Sequence, residues 1–162
     1  MKLTWMVRKH INEIAVLEEE CFGPSGYSRE QICNILKSQS AVGIVLETKG
    51  KIIGYMVYEF LNRKFALTNI AIAEKHRRKK CGTLLIERLK SKLSLLRRKS
   101  ISCKVKESDL GTHLFLKSLG FVATKVARNY YTDIQEDAYE FKFSLKENEE
   151  NEAVTTECTG VS

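Results

Sequence analysis

Three consecutive strand-length stretches, Ala41–Glu47, Lys51–Phe60 and Phe65–Ala73, lack the polar residue at every second position that a half-exposed strand shows. Runs such as VGIVL and IIGYMV read as strands buried on both faces, so helices must pack on both sides of the sheet they form. TKGK supplies a glycine-containing turn between the first two strands, and Asn62-Arg63-Lys64 the turn into the third. Upstream, Trp5–Arg8 reads as a short first strand. Ile11, Ile14, Ala15, Leu17, Glu18 and Cys21 then recur at helical spacing until GPSG stops the helix after Phe22. Ser28 is placed to cap a second helix over Arg29–Lys37, with Ile32, Ile35 and Leu36 as its apolar stripe. Downstream, Cys81, Leu85, Leu89, Leu93 and Leu96 fall at steps of four, four, four and three, which predicts one long amphipathic helix. Ile101–Lys106 returns as a strand, and Ser108 can cap a helix that Gly120 ends at C′. Phe121–Ala127 and Tyr139–Leu145 are the last strands, joined by the polar stretch around Asp133–Asp137. Hairpins first and strand–helix–strand–helix–strand afterwards predict an α/β domain whose sheet is antiparallel early and parallel in the middle.

A chain of 162 residues suits one domain, expected over residues 1–145. No apolar run approaches the roughly 20 residues that cross a bilayer, and MKLTWMVRKHINEIAVLEEE turns charged too soon for a signal-peptide core. The five cysteines form no CxxC and the three histidines are scattered, so neither a disulfide framework nor a zinc site is expected. These features predict a reduced, cytoplasmic, metal-free protein without a membrane partner. The net charge of +7 is unevenly spread: the tail 146–162 carries −4 and reads as acidic and disordered, leaving +11 on the remainder. Between Lys75 and Lys106 there are 13 basic residues and one acidic residue, Glu87. That concentration suits a phosphate-bearing partner, either a nucleotide cofactor or RNA, and equally a solvated helix face.

The segment TNIAIAEKHRRKKCGTLLIERL, Thr68–Leu89, holds the most chemistry. A strand enters a basic loop, then a glycine, then a helix whose first N–H groups lack intrahelical partners and whose dipole is positive. Such a junction binds phosphate. It is neither a Walker A loop nor a GxGxxG fingerprint. KHRRKK also fits a nucleic-acid patch.

IIGYMVYEF, NIAI, RRKKCGTLLI, ESDLGTHLFLKSLGF and RNYY follow one another in this order. On these motifs the chain resembles the GCN5-related N-acetyltransferases (GNAT family), nearest to the RimI branch of ribosomal-protein-alanine N-acetyltransferases, over Met6–Leu145. The resemblance implies a mixed central sheet of about seven strands with helices on both faces and splayed central parallel strands, with acetyl-CoA lying at the splay. Backbone groups of Ile70, Ala71 and Ile72 would bond the pantetheine and face the thioester. Arg78, Lys79, Lys80, Cys81, Gly82 and Thr83 would form the pyrophosphate loop, with Arg77 at its leading Gln/Arg position. Asp109 stands where the family commonly has a CoA-contacting asparagine. Three positions depart from the pattern: Lys80 replaces the first loop glycine, Lys104 replaces the glutamate base, and Leu116 replaces the tyrosine acid.

The resemblance therefore implies an acetyl-CoA-dependent N-acetyltransferase acting on an amine, with a protein N-terminus, as in a ribosomal protein, as acceptor and RNA contact through the basic surface. The alternative is a catalytically weakened or silent member of the family that binds CoA, RNA or the ribosome. Lys104 is the candidate at the base position, by a depressed pKa, while Glu107, Tyr130 and Tyr131 are stand-ins for proton transfer or, for the tyrosines, packing or peptide-groove residues. Gly54 reads as a packing or bulge glycine, Cys81 and Cys103 as core residues, His76 as loop surface and His113 as structural.

Overall fold

A computed structural model that describes residues 1–147 contains strands β1 (Lys2–Trp5), β2 (Ala41–Thr48), β3 (Lys51–Phe60), β4 (Lys64–Ile72), β5 (Ser100–Lys106), β6 (Val122–Tyr131) and β7 (Glu136–Ser144), together with four α-helices. The helices are α1 (Ile11–Phe22), α2 (Arg29–Lys37), α3 (Cys81–Lys90) and α4 (Leu110–Ser118). The seven strands and four helices make a mixed α/β fold. Most of the 146–162 segment lies outside the described residues, and so does the expectation for its disorder. No helix of the described residues is long and apolar enough to cross a membrane. The chain divides into two compact units, Met1–Leu61 with Ala66–Ser91, and Asn62–Phe65 with the chain from Lys92 onward.

In the first unit the strands lie in the order β1-β2-β3-β4. β2 and β3 are joined by Lys49-Gly50, both at positive φ as a type I′ hairpin turn requires. Their central residues are buried on both faces, as the unbroken apolar runs predict. Val45, Tyr55, Val57 and Ala71 cluster with Ile14 and Leu17 of α1 and Ile32 of α2. The opposite face, carrying Ile44, Leu46 and Met56, is covered by α3 through Leu85, Ile86 and Leu89. Helix α2 starts where its cap predicts, with Ser28 Oγ accepting from Gln31 N at 3.2 Å and Gln31 Oε1 accepting from Ser28 N at 2.8 Å.

In this unit the first strand and the long helix differ from expectation. The first strand is Lys2–Trp5 rather than Trp5–Arg8: after Trp5 pairs with Ile44 the chain keeps one further bond, Met6 N to Gly43 O at 2.9 Å, and the Met6 side chain fills the space over Gly43. The long helix stops at Lys90, where Ser91 Oγ donates to Arg88 O at 2.7 Å. Its stripe ends at Leu89, and Leu96 is 90% exposed. A period in the sequence prolongs a helix only while there is a surface for the stripe to cover.

In the second unit β5 pairs with β7 and β7 with β6, all antiparallel. Asp109, not Ser108, caps α4, its Oδ1 accepting from Thr112 N at 3.1 Å. Gly120 ends α4 as expected: at φ +86° it donates to Lys117 O while Phe121 N donates to Leu116 O, both at 3.1 Å, which is a Schellman motif.

Candidate functional site

The junction between β4 and α3 lies wholly in the first unit and brings together Ile70, Ala71, Ile72 and the loop Arg77–Thr83. Beyond Ile72, Ala73 N donates to Ile53 O at 2.8 Å, and a single 3₁₀ turn over Glu74–His76 leads into the basic loop. Arg78 and Lys80 both adopt left-handed backbone, at φ +58° and +62°. Such left-handed residues in a loop turn successive N–H groups toward one concavity, a nest for an anion. Lys80 is the N-cap of α3, yet no side chain caps the helix. Intrahelical bonding begins with Leu84 N to Lys80 O at 3.0 Å, which leaves the amides of Cys81, Gly82 and Thr83 as first-turn donors. Arg78, Lys79 and Lys80 are exposed around them. This is the donor set and charge that a pyrophosphate needs, so the residues present fit acetyl-CoA at this end.

Arg77 serves differently from its neighbours. Its Nε donates to Ile72 O at 3.0 Å and its Nη2 to Cys21 Sγ at 3.4 Å, while Glu74 N donates to Glu20 Oε1 at 2.9 Å. The guanidinium is thus turned back onto the ends of β4 and α1, and it bolts the root of the loop in place. Burial pushes the Cys21 thiol up, against the lowering effect of Arg77. Gly54 behaves as the packing and bulge glycine expected: a Cβ there would lie 2.6 Å from Ile72 Cδ1 and 3.1 Å from Ala71 O. The β2–β3 register also shifts beside it, between Leu46 and Glu47.

A buried polar network supports the same strand. Glu18 is 1% exposed on α1. Its carboxylate accepts from Tyr27 N at 2.7 Å, from Asn69 Nδ2 at 2.7 Å and from the Tyr55 hydroxyl. Asn69 immediately precedes Ile70. Burial, and then the hydrogen bond to Glu18, hold the Tyr55 phenol far above its ordinary 10. Tyr27 is raised by burial and by the Glu18 charge. Three donors to one carboxylate satisfy a charge that would otherwise be costly to bury. In the sequence the network shows only through Glu18, which falls on the apolar stripe of α1, since a carboxylate on such a stripe is the signal of a buried partner.

The remaining sequence-derived site residues belong to the second unit. Lys104 is exposed on β5 with its Nζ 5.0 Å from the Tyr130 ring centroid. Leu116 is 1% exposed, an apolar core side chain of α4 that offers no proton. Asp109 spends its carboxylate on the α4 cap, Oδ2 also accepting from Thr112 Oγ1 at 2.7 Å. Burial, then the Asp109 charge, pushes the Cys103 thiol up to about 12, so it is no thiolate nucleophile near neutrality. His113 is structural as expected, its Nε2 2.8 Å from Lys106 O and its ring packed on Tyr139 and Phe141.

Comparison with known proteins places the family and the fold. A sequence model of the Acetyltransferase (GNAT) family matches residues 8–121. An N-alpha-acetyltransferase of Sulfurisphaera tokodaii is 30% identical over 129 residues, covering 72% of this chain and 77% of the relative. Among solved structures, the ribosomal-protein-S18-alanine N-acetyltransferase of Escherichia coli superposes with a TM-score of 0.78 at 21% identity, covering 91% of this chain and 97% of that one. NAA60 of Arabidopsis thaliana, solved in complex with acetyl-CoA, gives 0.76 at 12% identity, covering 89% and 98%.

Proposed function

Because the chain belongs to the GNAT family of acetyltransferases, we propose that it moves an acetyl group from acetyl-CoA to the α-amine of a polypeptide N-terminus, with a ribosomal protein as the target its sequence resemblance favours. The observation that carries the donor half is the uncapped start of α3 behind two left-handed residues and three exposed cations. Arg78, Lys79, Lys80 and the amides of Cys81–Thr83 would hold the pyrophosphate. The Ile70–Ile72 backbone would hold the pantetheine, kept in place by the Glu18–Asn69 bond on one side and Arg77 on the other. An N-terminal target associated with RNA would suit the excess of basic side chains.

Chemistry at the acceptor asks little of a base. An α-amine with a pKa near 8 is about a tenth neutral at pH 7, so a fraction is always ready to attack. Loss of a general base or acid costs about 10²–10⁴ in rate, while orientation of the reacting groups supplies much of the remainder. Lys104 and Leu116 at the family's base and acid positions therefore fit a slow enzyme working by positioning.

The test is incubation with acetyl-CoA and peptides beginning with alanine or serine, with the acetyl group located by mass spectrometry. α-Acetylated product supports the proposal, and acetyl found on lysine side chains alone overturns the acceptor assignment. Acetyl-CoA binding without product on any amine would replace the enzyme by a binding module.

A further inference from the structure

The first unit holds a cavity of about 620 Å³ that shares no residue with the β4–α3 junction. Met6, Val7 and Ile11 line one side, Cys33 and Leu36 of α2 the other, and Arg8 and Lys37 complete the lining. The fold fixes both walls before any ligand arrives. Met6 N donates to Gly43 O, and the 3₁₀ turn Arg8–His10 that follows is pinned through a buried imidazole. His10 Nδ1 accepts from Val7 N at 3.0 Å, and its Nε2 lies 3.2 Å from Glu47 Oε1 of β2. On the other side, α2 is set by its Ser28–Gln31 capping box and by Ile32, which is fully buried in one cluster with Ile14 and Leu17 of α1. A preformed cavity of this volume lies within the range of about 300–1,000 Å³ found for small-molecule sites.

The lining narrows what can occupy it. Five of its seven side chains are aliphatic, thioether or thiol, the other two are cations, and none is a carboxylate, amide, hydroxyl or aromatic ring. A sugar or nucleobase would leave polar groups without side-chain partners there, and a flat ring would find nothing to stack on. Met6, Ile11 and Leu36 instead present hydrocarbon, which an alkyl chain covers without losing a hydrogen bond. Arg8 and Lys37 are exposed, and among the described residues neither forms an ion pair. Two carboxylates of adjoining elements are engaged elsewhere: Glu47 faces His10, and Glu13 Oε2 accepts from Ile52 N at 3.1 Å. An apolar interior with two uncompensated positive charges is complementary to a single hydrocarbon chain that ends in an anion.

We propose that this cavity binds a medium-chain fatty carboxylate, with its chain along Met6, Ile11, Cys33 and Leu36 and its carboxylate at Arg8 and Lys37. The site stands apart from acetyl transfer and does not depend on that reading. Each buried methylene tightens binding about fourfold, and a carboxylate paired with cations adds about tenfold or more over a head group without negative charge. Cys33, half-buried in the wall, reports occupancy, because a bound chain covers its thiol.

The test is isothermal titration calorimetry of the full chain, with and without saturating CoA, against octanoate, decanoate and octylammonium below their micelle concentrations. Decanoate should bind about tenfold more tightly than octanoate, and octanoate about tenfold or more tightly than octylammonium. The double variant Arg8→Gln/Lys37→Gln should erase the second ratio and keep the first. In the unsubstituted chain, decanoate should slow N-ethylmaleimide alkylation of Cys33 in proportion to occupancy, read by mass spectrometry, while Cys21 reacts at an unchanged rate. Equal affinities for octanoate and decanoate would overturn the proposal, leaving only an anion on surface cations. So would equal affinities for octanoate and octylammonium, a head-group ratio untouched in the double variant, or binding that leaves Cys33 fully reactive. Decanoate binding seen only without CoA would overturn it in favour of the donor site. A synthetic peptide of residues 148–162 that displaces decanoate and shields Cys33 would overturn it by assigning the cavity to the chain's own acidic segment. Both replaced side chains are exposed, so the double variant should fold; the chain-length ratio and the Cys33 footprint decide the question on the unsubstituted chain regardless.

Discussion

Lys80→Gly separates what the loop backbone needs from what the lysine charge contributes. Lys80 sits at φ +62°, ψ 16° at the start of α3 with no side-chain cap to stabilise it there. A left-handed conformation costs a residue with a Cβ roughly 1–2 kcal/mol. Glycine avoids that cost but loses about 0.4–1 kcal/mol more chain entropy on folding. Because Lys80 is exposed, little packing is lost with its stem. The glycine variant should therefore be about 0.5–1 kcal/mol more stable, which raises Tm by about 1–4 °C for a chain of this size. Lys80→Ala is the control: it removes the charge, keeps the Cβ, and should show no such gain. Thermal melts of all three proteins with and without acetyl-CoA then report both effects, since a ligand specific to the native state stabilises it by RT ln(1 + [L]/Kd). If the ammonium contacts the pyrophosphate, both variants should bind acetyl-CoA about tenfold or more weakly. If the side chain obstructs the phosphate, glycine should bind more tightly than alanine. A glycine variant no more stable than the alanine variant would refute the strain argument, and unchanged affinity in both would place Lys80 outside the contact.

Glu18→Ala should cost about 3 kcal/mol or more in urea unfolding, because it leaves the buried Tyr55 hydroxyl and the Tyr27 amide without their acceptor, while Asn69 Nδ2 keeps only its 2.8 Å bond to the Tyr55 oxygen; a loss below about 1 kcal/mol would contradict a satisfied buried carboxylate. The Tyr55 phenol has a folded pKa far above its ordinary 10, so above pH 10 the unfolded chain loses a proton that the folded one keeps. The Tyr55 share of stability should be level below that pH and fall by up to about 1.4 kcal/mol per pH unit above it, in addition to the fall that the raised Cys21, Cys103 and Tyr27 give. Tyr55→Phe should make the slope above pH 10 shallower by that share, and an unchanged slope would refute the assignment. Gly54→Ala should destabilise by about 1–3 kcal/mol by driving Ile72 off β3, and a melt equal to wild type would show that Ile72 moves freely. On a neutral peptide, Lys104→Glu should raise kcat most below pH 8 if position 104 is that of the base, whereas Lys104→Met should lower kcat only if the lysine itself takes the proton; kcat and KM from pH 6.5 to 9 distinguish them.

Local periodicity and end signals carried most of the secondary structure. The β3 limits, the α2 limits, the Ser28 cap and the Gly120 stop follow from residues within a turn of one another, where backbone sterics and capping decide the outcome. The β4–loop–α3 junction was legible for the same reason, since its donors and charges are contiguous. Tertiary structure decided the rest. The apolar stripe separates Glu18 from Glu19 and Glu20, but nothing local names its donors Tyr27, Tyr55 and Asn69, which lie 9, 37 and 51 residues along the chain. The leucine period alone would carry α3 to Leu96, but burial ends at Leu89. Arg77 looks like its basic neighbours until Ile72 O and Cys21 Sγ claim its guanidinium. Likewise Arg8 and Lys37 come to line one cavity only when the folded chain sets α2 beside the start of α1. Helix and strand patterns are set by neighbours a few residues away, whereas which polar group is buried, bonded or left open to a ligand depends on partners that only the folded chain brings within about 3 Å.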